Sequence, residues 1–256
     1  MAATLEEIRQ FVETQLNVKD YEKIDKAING FQVEKRGKIQ KLCLAVDFCL
    51  ETLDQAILQK ADAILVHHGI FWGKPFPITG RYYHLIEKLI KHNIALLALH
   101  LPLDTHKKFG NNIGLIEELG FSHSHCFGDY HGLKLLFMGK AQENSGKTLG
   151  ELLKNYRKRF GDPLFVVGKE DRVVDKLAVC SGGGLFGLED AKKEGADAFL
   201  VGDANHTMYH LAKELDIAVI SGGHYATETI GVKRLGAHMA ELFSLDTVFL
   251  DVPTGL

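Results

Sequence analysis

Nine short apolar runs alternate with amphipathic helical patterns along the 256 residues of this chain, and that alternation admits few folds. The runs are IQKLCLAV (39–46), DAILVH (62–67), NIALLALH (93–100), LKLLFMG (133–139), PLFVVG (163–168), KLAVC (176–180), DAFLVG (197–202), IAVISG (217–222) and DTVFLD (246–251). Their length and their bounding turn residues fit buried strands. Between them, ETLDQAILQKA, YYHLIEKLIKH, NIGLIEEL, KTLGELLKNYRKRF, LEDAKKEGA, MYHLAKEL and TIGVKRLGAHMAELF carry apolar residues at three- and four-residue spacing, the period of a helix face. Strands that alternate with helices call for mostly parallel sheets joined by crossover helices. The expected class is α/β, and the 26 Gly against 5 Pro suit its many strand-to-helix turns.

The two halves repeat one another. LAVDFCLETLDQAILQKADAILVHHG (44–69) matches LAVCSGGGLFGLEDAKKEGADAFLVGD (177–203): strand, loop, helix, then an ADAxLV strand. NIALLALHLPLD (93–104) then aligns with DIAVISGGHYATE (216–228), and IGLIEELG (113–120) with IGVKRLG (230–236). Two similar α/β domains are expected, residues 1–125 with the C-terminal segment and residues 126–256, joined by a loop SHSHCFGDYHG (122–132) and without an inserted third domain. Strand–helix repeats also resemble one another by composition alone, and that bland reading stands beside the duplication.

Ligand-type residues gather at predicted carboxyl ends of strands, where open α/β sheets bind their ligands. They are His67 and His68 in LVHHGIFW, Asp104 in a short loop after Pro102, and His224 with Glu228 in SGGHYATE. Adjacent histidines point to opposite faces of a regular strand, so His67 and His68 can reach one centre only where the strand stops, and Gly69 permits a turn there. His224 and Glu228 are four apart, so a helix starting after Gly222 and Gly223 stacks them on one face. Three imidazoles and two carboxylates without thiolate suit two divalent cations of the Zn, Fe or Mn kind, at the strand ends between the domains. A lone histidine is more often structural, and the convergence of five such residues carries the inference. His100 and His206, at strand ends, are candidates for proton transfer or for support of the ligands, with a structural role equally open. SGGG (181–184) stands where a phosphate-cradling turn would, but lacks a dinucleotide or P-loop pattern, so a tight turn explains it equally well.

NGFQVE (29–34), AVD (45–47), ADAILVHHGIFW (61–72), the LHLPLD segment, CSGGG and SGGHYATE together resemble the Nif-three-like family, also known as GTP cyclohydrolase I type 2 homologues or dinuclear-metal hexameric proteins, over nearly the whole chain. The resemblance implies two similar α/β domains, a ring-like homohexamer, and two metal ions held by His67, His68, Asp104, His224 and Glu228. It further implies a hydrolase whose substrate would be GTP, opened at the guanine imidazole ring with release of formate. Gly202-Asp203 stands where the family usually has Gly-Glu, which puts the role of that acidic residue in question.

The remaining composition narrows the classes. A formal charge of -3 and a pI near 6.5 offer no global field for nucleic acid or an anionic membrane. Nucleic acid threading a ring is therefore disfavoured unless the channel is locally basic. Cys43, Cys49, Cys126 and Cys180 form no CxxC pattern, and two lie in apolar runs, which fits a reducing cytoplasm. No segment reaches the roughly 18 apolar residues of a membrane span. The expected activity is metal-dependent hydrolysis of a small molecule, and the other reading is a non-enzymatic metal-binding or adaptor hexamer.

Overall fold

The structure, a computed structural model, describes residues 2–142 and 146–256. Its elements in chain order are α1 (Leu5–Leu16), β1 (Gly30–Val33), β2 (Lys41–Asp47), α2 (Leu50–Leu58), β3 (Ala63–His68), α3 (Gly80–His92), β4 (Ala95–Ala98), α4 (Leu101–Asp104) and α5 (Asn111–Glu118). There follow β5 (Ser122–Tyr130), β6 (Leu133–Lys140), β7 (Lys147–Thr148), α6 (Leu149–Phe160), β8 (Phe165–Val167), β9 (Val173–Val174), β10 (Lys176–Cys180) and α7 (Leu188–Lys193). The last are β11 (Ala198–Val201), α8 (His206–Glu214), β12 (Ala218–Ser221), α9 (His224–Phe243) and β13 (Asp246–Phe249). The chain divides into two compact units, one running to Leu103 and including Gly231–Val252, the other Asp104–Ile230 with Pro253–Leu256.

In the first unit a five-stranded sheet has the order β1-β4-β3-β2-β13. Its β4, β3, β2 and β13 are parallel neighbours, and β1 closes the edge antiparallel to β4. Leu42, Cys43, Leu44, Ala45 and Val46 of β2 are all buried, as expected for a parallel strand with helices covering both faces. Leu53 and Ala56 of α2 and Leu85 and Leu89 of α3 pack onto Cys43, Ile64, Val66 and Leu96. In the second unit the order is β5-β6-β10-β11-β12-β8. Its middle is parallel, β10 to β11 to β12, while β6 and β8 flank it antiparallel and β5 pairs antiparallel with β6. Its core joins Ile113 and Ile116 of α5 to Phe137, Leu152, Tyr156, Leu177, Leu200 and Ile220.

The repeat seen in the sequence is repeated atom by atom. Asp62 Oδ2 accepts from the backbone N–H groups of Gln40 and Lys41, at 2.9 and 3.0 Å. Asp197, the corresponding residue, accepts from Asp175 and Lys176, at 3.0 and 2.9 Å. The backbone of each then bridges three strands: Asp62 N–H donates to Lys41 and its carbonyl accepts from Ala95, as Asp197 donates to Lys176 and accepts from Ala218. Each parallel trio is thus pinned at its amino end, so its carboxyl ends emerge side by side.

All nine predicted strands and the predicted helices are present; β1, β7 and β9 are further short strands, and three readings change. Residues 122–132 are not a loop: they form β5 and the tip of a hairpin, whose turn residues His131 and Gly132 both have positive φ, the geometry of a two-residue hairpin connection. The polar SHSH stretch hid that strand, because only Phe127 in it is buried. α5 and Phe121, grouped in the sequence with the first domain, lie in the core of the second unit. The LPLD segment is a single helical turn in place of a loop, closed by Leu103 N–H on the His100 carbonyl.

Tyr156 of α6 secures the turn that precedes α9. It is fully buried, and its hydroxyl donates to the Gly222 carbonyl at 2.8 Å. Removing the hydroxyl leaves that buried carbonyl unsatisfied, a cost of about 1–3 kcal/mol. Tyr156→Phe should therefore lower the urea midpoint accordingly with far-UV circular dichroism unchanged, and an unaltered midpoint would show that the clamp is dispensable.

Candidate metal centre

In the first unit, three imidazoles converge where β3 and β4 end. His67 is fully buried, and its Nδ1 donates to the Leu99 carbonyl at 2.8 Å. A carbonyl can only accept, so the proton resides on Nδ1 and the lone pair on Nε2. His68 Nδ1 is 2.8 Å from Asp47 Oδ1, at the end of neighbouring β2. His100 Nδ1 is 2.8 Å from Asp25 Oδ1. Burial raises the Asp25 pKa, but hydrogen bonds from His100, Asn29 and the Ala27 N–H, together with the charge of His100, outweigh it and hold the carboxyl below its ordinary range. Asp25 also accepts from the Leu101 N–H at 3.0 Å, so it fixes both His100 and the start of α4.

The ring centroids of His67 and His68 are 4.6 Å apart, and His100 lies 5.0 and 5.6 Å from them. One nitrogen from each falls within 4.8 Å of the other two, a spacing that can hold a metal ion. Gly69 serves this convergence by its lack of a side chain: a Cβ there would meet Gln32 Oε1 at 2.4 Å and Ala98 Cβ at 2.6 Å. The expected turn is thus a matter of close approach.

In the second unit, α9 opens with the other pair. His224 Nε2 is 3.2 Å from Glu228 Oε1, one helical turn on, and its Nδ1 is 2.8 Å from Asp203 Oδ2 at the end of β11. The hydrogen bond to Glu228 is the main reason that the His224 pKa is pushed up to about 9; burial opposes it, and the charges of Glu228 and Asp203 reinforce it. Glu228 is buried, as is Asp104, whose Oδ1 accepts from Ser181 Oγ and Asn111 Nδ2 at 2.9 Å each. The Asp104 and Glu228 carboxylates bring an oxygen each within 4.8 Å.

The SGGG loop is shaped around these acids. Gly182 has φ of +57°, and a Cβ on it would lie 2.2 Å from Glu228 Oε1 and 3.1 Å from His224 Nε2. Nearby Cys180 has its thiol pKa raised by burial and by the Asp104 and Glu228 carboxylates, and it enters no group of metal-ligand spacing among the described residues. The groups of metal-ligand spacing among the described residues accordingly consist of imidazole and carboxylate.

The profile of the Duf34/NIF3 (NGG1p interacting factor 3) family matches residues 3–254. The chain belongs to this family. A curated relative from Pyrococcus horikoshii, named GTP cyclohydrolase 1 type 2 homolog, is 38% identical over 261 residues and the match covers 98% of this chain and 99% of the relative. Among solved structures, ybgI, a protein titled as of unknown function, superimposes with a TM-score of 0.88 at 32% identity, over 98% of this chain and 99% of that one. A protein from Thermus thermophilus does so at 0.84 and 35% identity, with the same coverage.

In this NIF3-family chain the residues singled out from sequence divide by unit: His67, His68 and His100 belong to one, Asp104, His224 and Glu228 to the other. His206 stands apart: it is exposed at the start of α8, its ring 5.8 Å from that of His210, and it enters no group of metal-ligand spacing among the described residues. None of the acceptors behind the rings was assigned that role from sequence: Asp203 stood only as an acidic residue of open role, Asp47 only within AVD, and Asp25 and the Leu99 carbonyl not at all. Asp47 and Asp203 had a readable signal, since each ends an apolar run one strand away from its histidine. Asp203, whose role the sequence left in question, reaches the His224 ring. No helix among the described residues is long and apolar enough to cross a membrane.

His224 keeps its proton well above the ordinary imidazole value of 6.5. The stability that the pair adds to metal-free protein is therefore complete below about 6.5 and lost as pH rises through about 9. Proton NMR of the metal-free chain should place the His224 midpoint near 9, falling toward 6.5 in Glu228→Gln; a midpoint near 6.5 in the unaltered chain would contradict the pairing.

Proposed function

We propose that the chain holds two divalent cations of the Zn, Fe or Mn kind through His67, His68, Asp104, His224 and Glu228, and uses them as a hydrolase of the GTP cyclohydrolase I type 2 homologue kind. The observation that carries this reading is the treatment of the rings. His67, His68 and His224 each commit Nδ1 to a carbonyl or carboxylate at 2.8 Å, which leaves Nε2 as the common ligand atom. Such fixed outer partners are the usual support of metal-binding histidines. The fit extends to charge: two buried carboxylates supply two negative charges that a pair of dications would neutralise.

A bound pair of this kind lowers the pKa of water and polarises the substrate atom under attack. The chain's own residues orient the ligands, keep Glu228 and Asp104 from bulk water, and handle protons. His100, held by Asp25, is assigned to proton transfer at its Nε2, and its place beside His67 and His68 also lets it serve as a further ligand. His206 is the second proton-transfer candidate, from the other unit. The name of the Pyrococcus horikoshii relative supports GTP as the first substrate to assay. Cytoplasmic location and a homohexamer complete the proposal, and light scattering should give six times the 28.4 kDa chain mass.

Elemental analysis of protein purified without added metal should find two Fe, Zn or Mn per chain, with GTP turnover abolished by a chelator. His67→Ala with Glu228→Ala should lose both metal and turnover. Full turnover by the metal-free protein or by that variant would refute the mechanism. Two metals without hydrolysis of GTP or of a panel of phosphate and amide esters would favour the non-enzymatic metal-binding or adaptor reading.

A further inference from the structure

The single tryptophan of the chain stands beside the histidine trio, and three restraints hold it there. The Trp72 backbone bridges to Ala27. Its indole Nε1–H donates to the Gly69 carbonyl at 3.0 Å, directly after the two histidines. Its ring meets His100 edge-on at a centroid distance of 5.1 Å and lies 5.8 Å from His68. The neighbouring aromatics behave differently. Phe71 and Phe76 stack at 5.5 Å, Phe76 and Tyr82 approach to 4.2 Å, and all three pack against the core of the first unit. Trp72 is 40% exposed and directed to the histidines instead.

An isolated exposed apolar side chain is ordinary and needs no explanation. An indole whose N–H is tied, whose edge is braced on two candidate ligand rings, and whose remaining surface is open is a pre-ordered stacking platform at no further entropic cost. A cation would also suit its π-face. Three imidazoles and the proposed dications beside it disfavour a positive ligand, whereas a neutral or anionic conjugated ring meets no such penalty.

We propose that Trp72 is the specificity-determining residue of the histidine site, presenting its indole as the surface on which a planar conjugated ring of the substrate stacks. This rests on the hydrolase reading and narrows its substrate class to ring-bearing compounds. Because Trp72 is the only tryptophan, its emission reports on the stack without labelling.

The test titrates the purified chain with GMP and AMP, which carry a ring and a phosphate, with ribose 5-phosphate, which has no ring, and with choline, a cation. A ring-bearing probe should quench Trp72 emission saturably, while ribose 5-phosphate and choline should not. Stacking worth about 1–3 kcal/mol per base corresponds to roughly tenfold in affinity or more. By equilibrium dialysis Trp72→Ala should lose about that factor for the ring-bearing probe, and Trp72→Phe, which keeps a stacking face, should retain most of the binding. Metal content should be unchanged in both variants. Equal affinity of Trp72→Ala, no quenching by either ring-bearing probe, or quenching by ribose 5-phosphate or choline as strong as by GMP would overturn the proposal. Metal content separates the two ideas: a chain that holds no metal sinks the dinuclear reading, while the quenching still decides the stack.

Discussion

Two carboxylates, Asp62 and Asp197, set the geometry on which everything else relies. Each draws in the first backbone N–H groups of the neighbouring strand and passes its own backbone to the strands on both sides. A parallel sheet has no hairpin to set its register, so a side chain that ties strand starts together takes over that task. With the starts aligned, the ends come out level, and the ends are where His67, His68, Asp47 and Asp203 are placed. Fold and site are therefore coupled through register.

The histidines are held in one common manner. Each offers Nδ1 to a fixed acceptor, although the acceptors come from a strand, a loop and a carbonyl. Equivalent positions of the repeat have exchanged parts: His68 in the first unit aligns with Asp203 in the second, where the acid supports a histidine that belongs to the helix. The first unit thus gathers imidazoles at its strand ends, and the second gathers mainly carboxylates, the two donor types of the proposed ligand set.

Much of this was legible in the chain. The nine strands stood out because parallel strands are buried on both faces, and the histidine and carboxylate pairs stood out because they follow such runs directly. β5 was hidden because it is largely exposed and polar, and its identity comes from the His131-Gly132 turn and its pairing with β6. β1 was hidden because its residues are only half-buried and form no continuous apolar run. Asp47 and Asp203 each end an apolar run one strand from their histidine, but the pairing, across 21 positions in both cases, appears only once the strands lie side by side. Asp25, 75 residues from His100, had no local signal at all.

Gly182 shows where such a fold is least free to vary. It has no side chain to ligate, donate or carry charge, yet the space beside its α-carbon is where the Glu228 carboxylate resides. Any of the other nineteen residues would have to displace an acid whose position the histidine beside it depends on, while adopting a left-handed backbone that they disfavour. In the heredity of this chain, then, an atom that must not exist is as strictly specified as the ligands themselves, and a census of tolerated substitutions would rank an empty position among the functional ones.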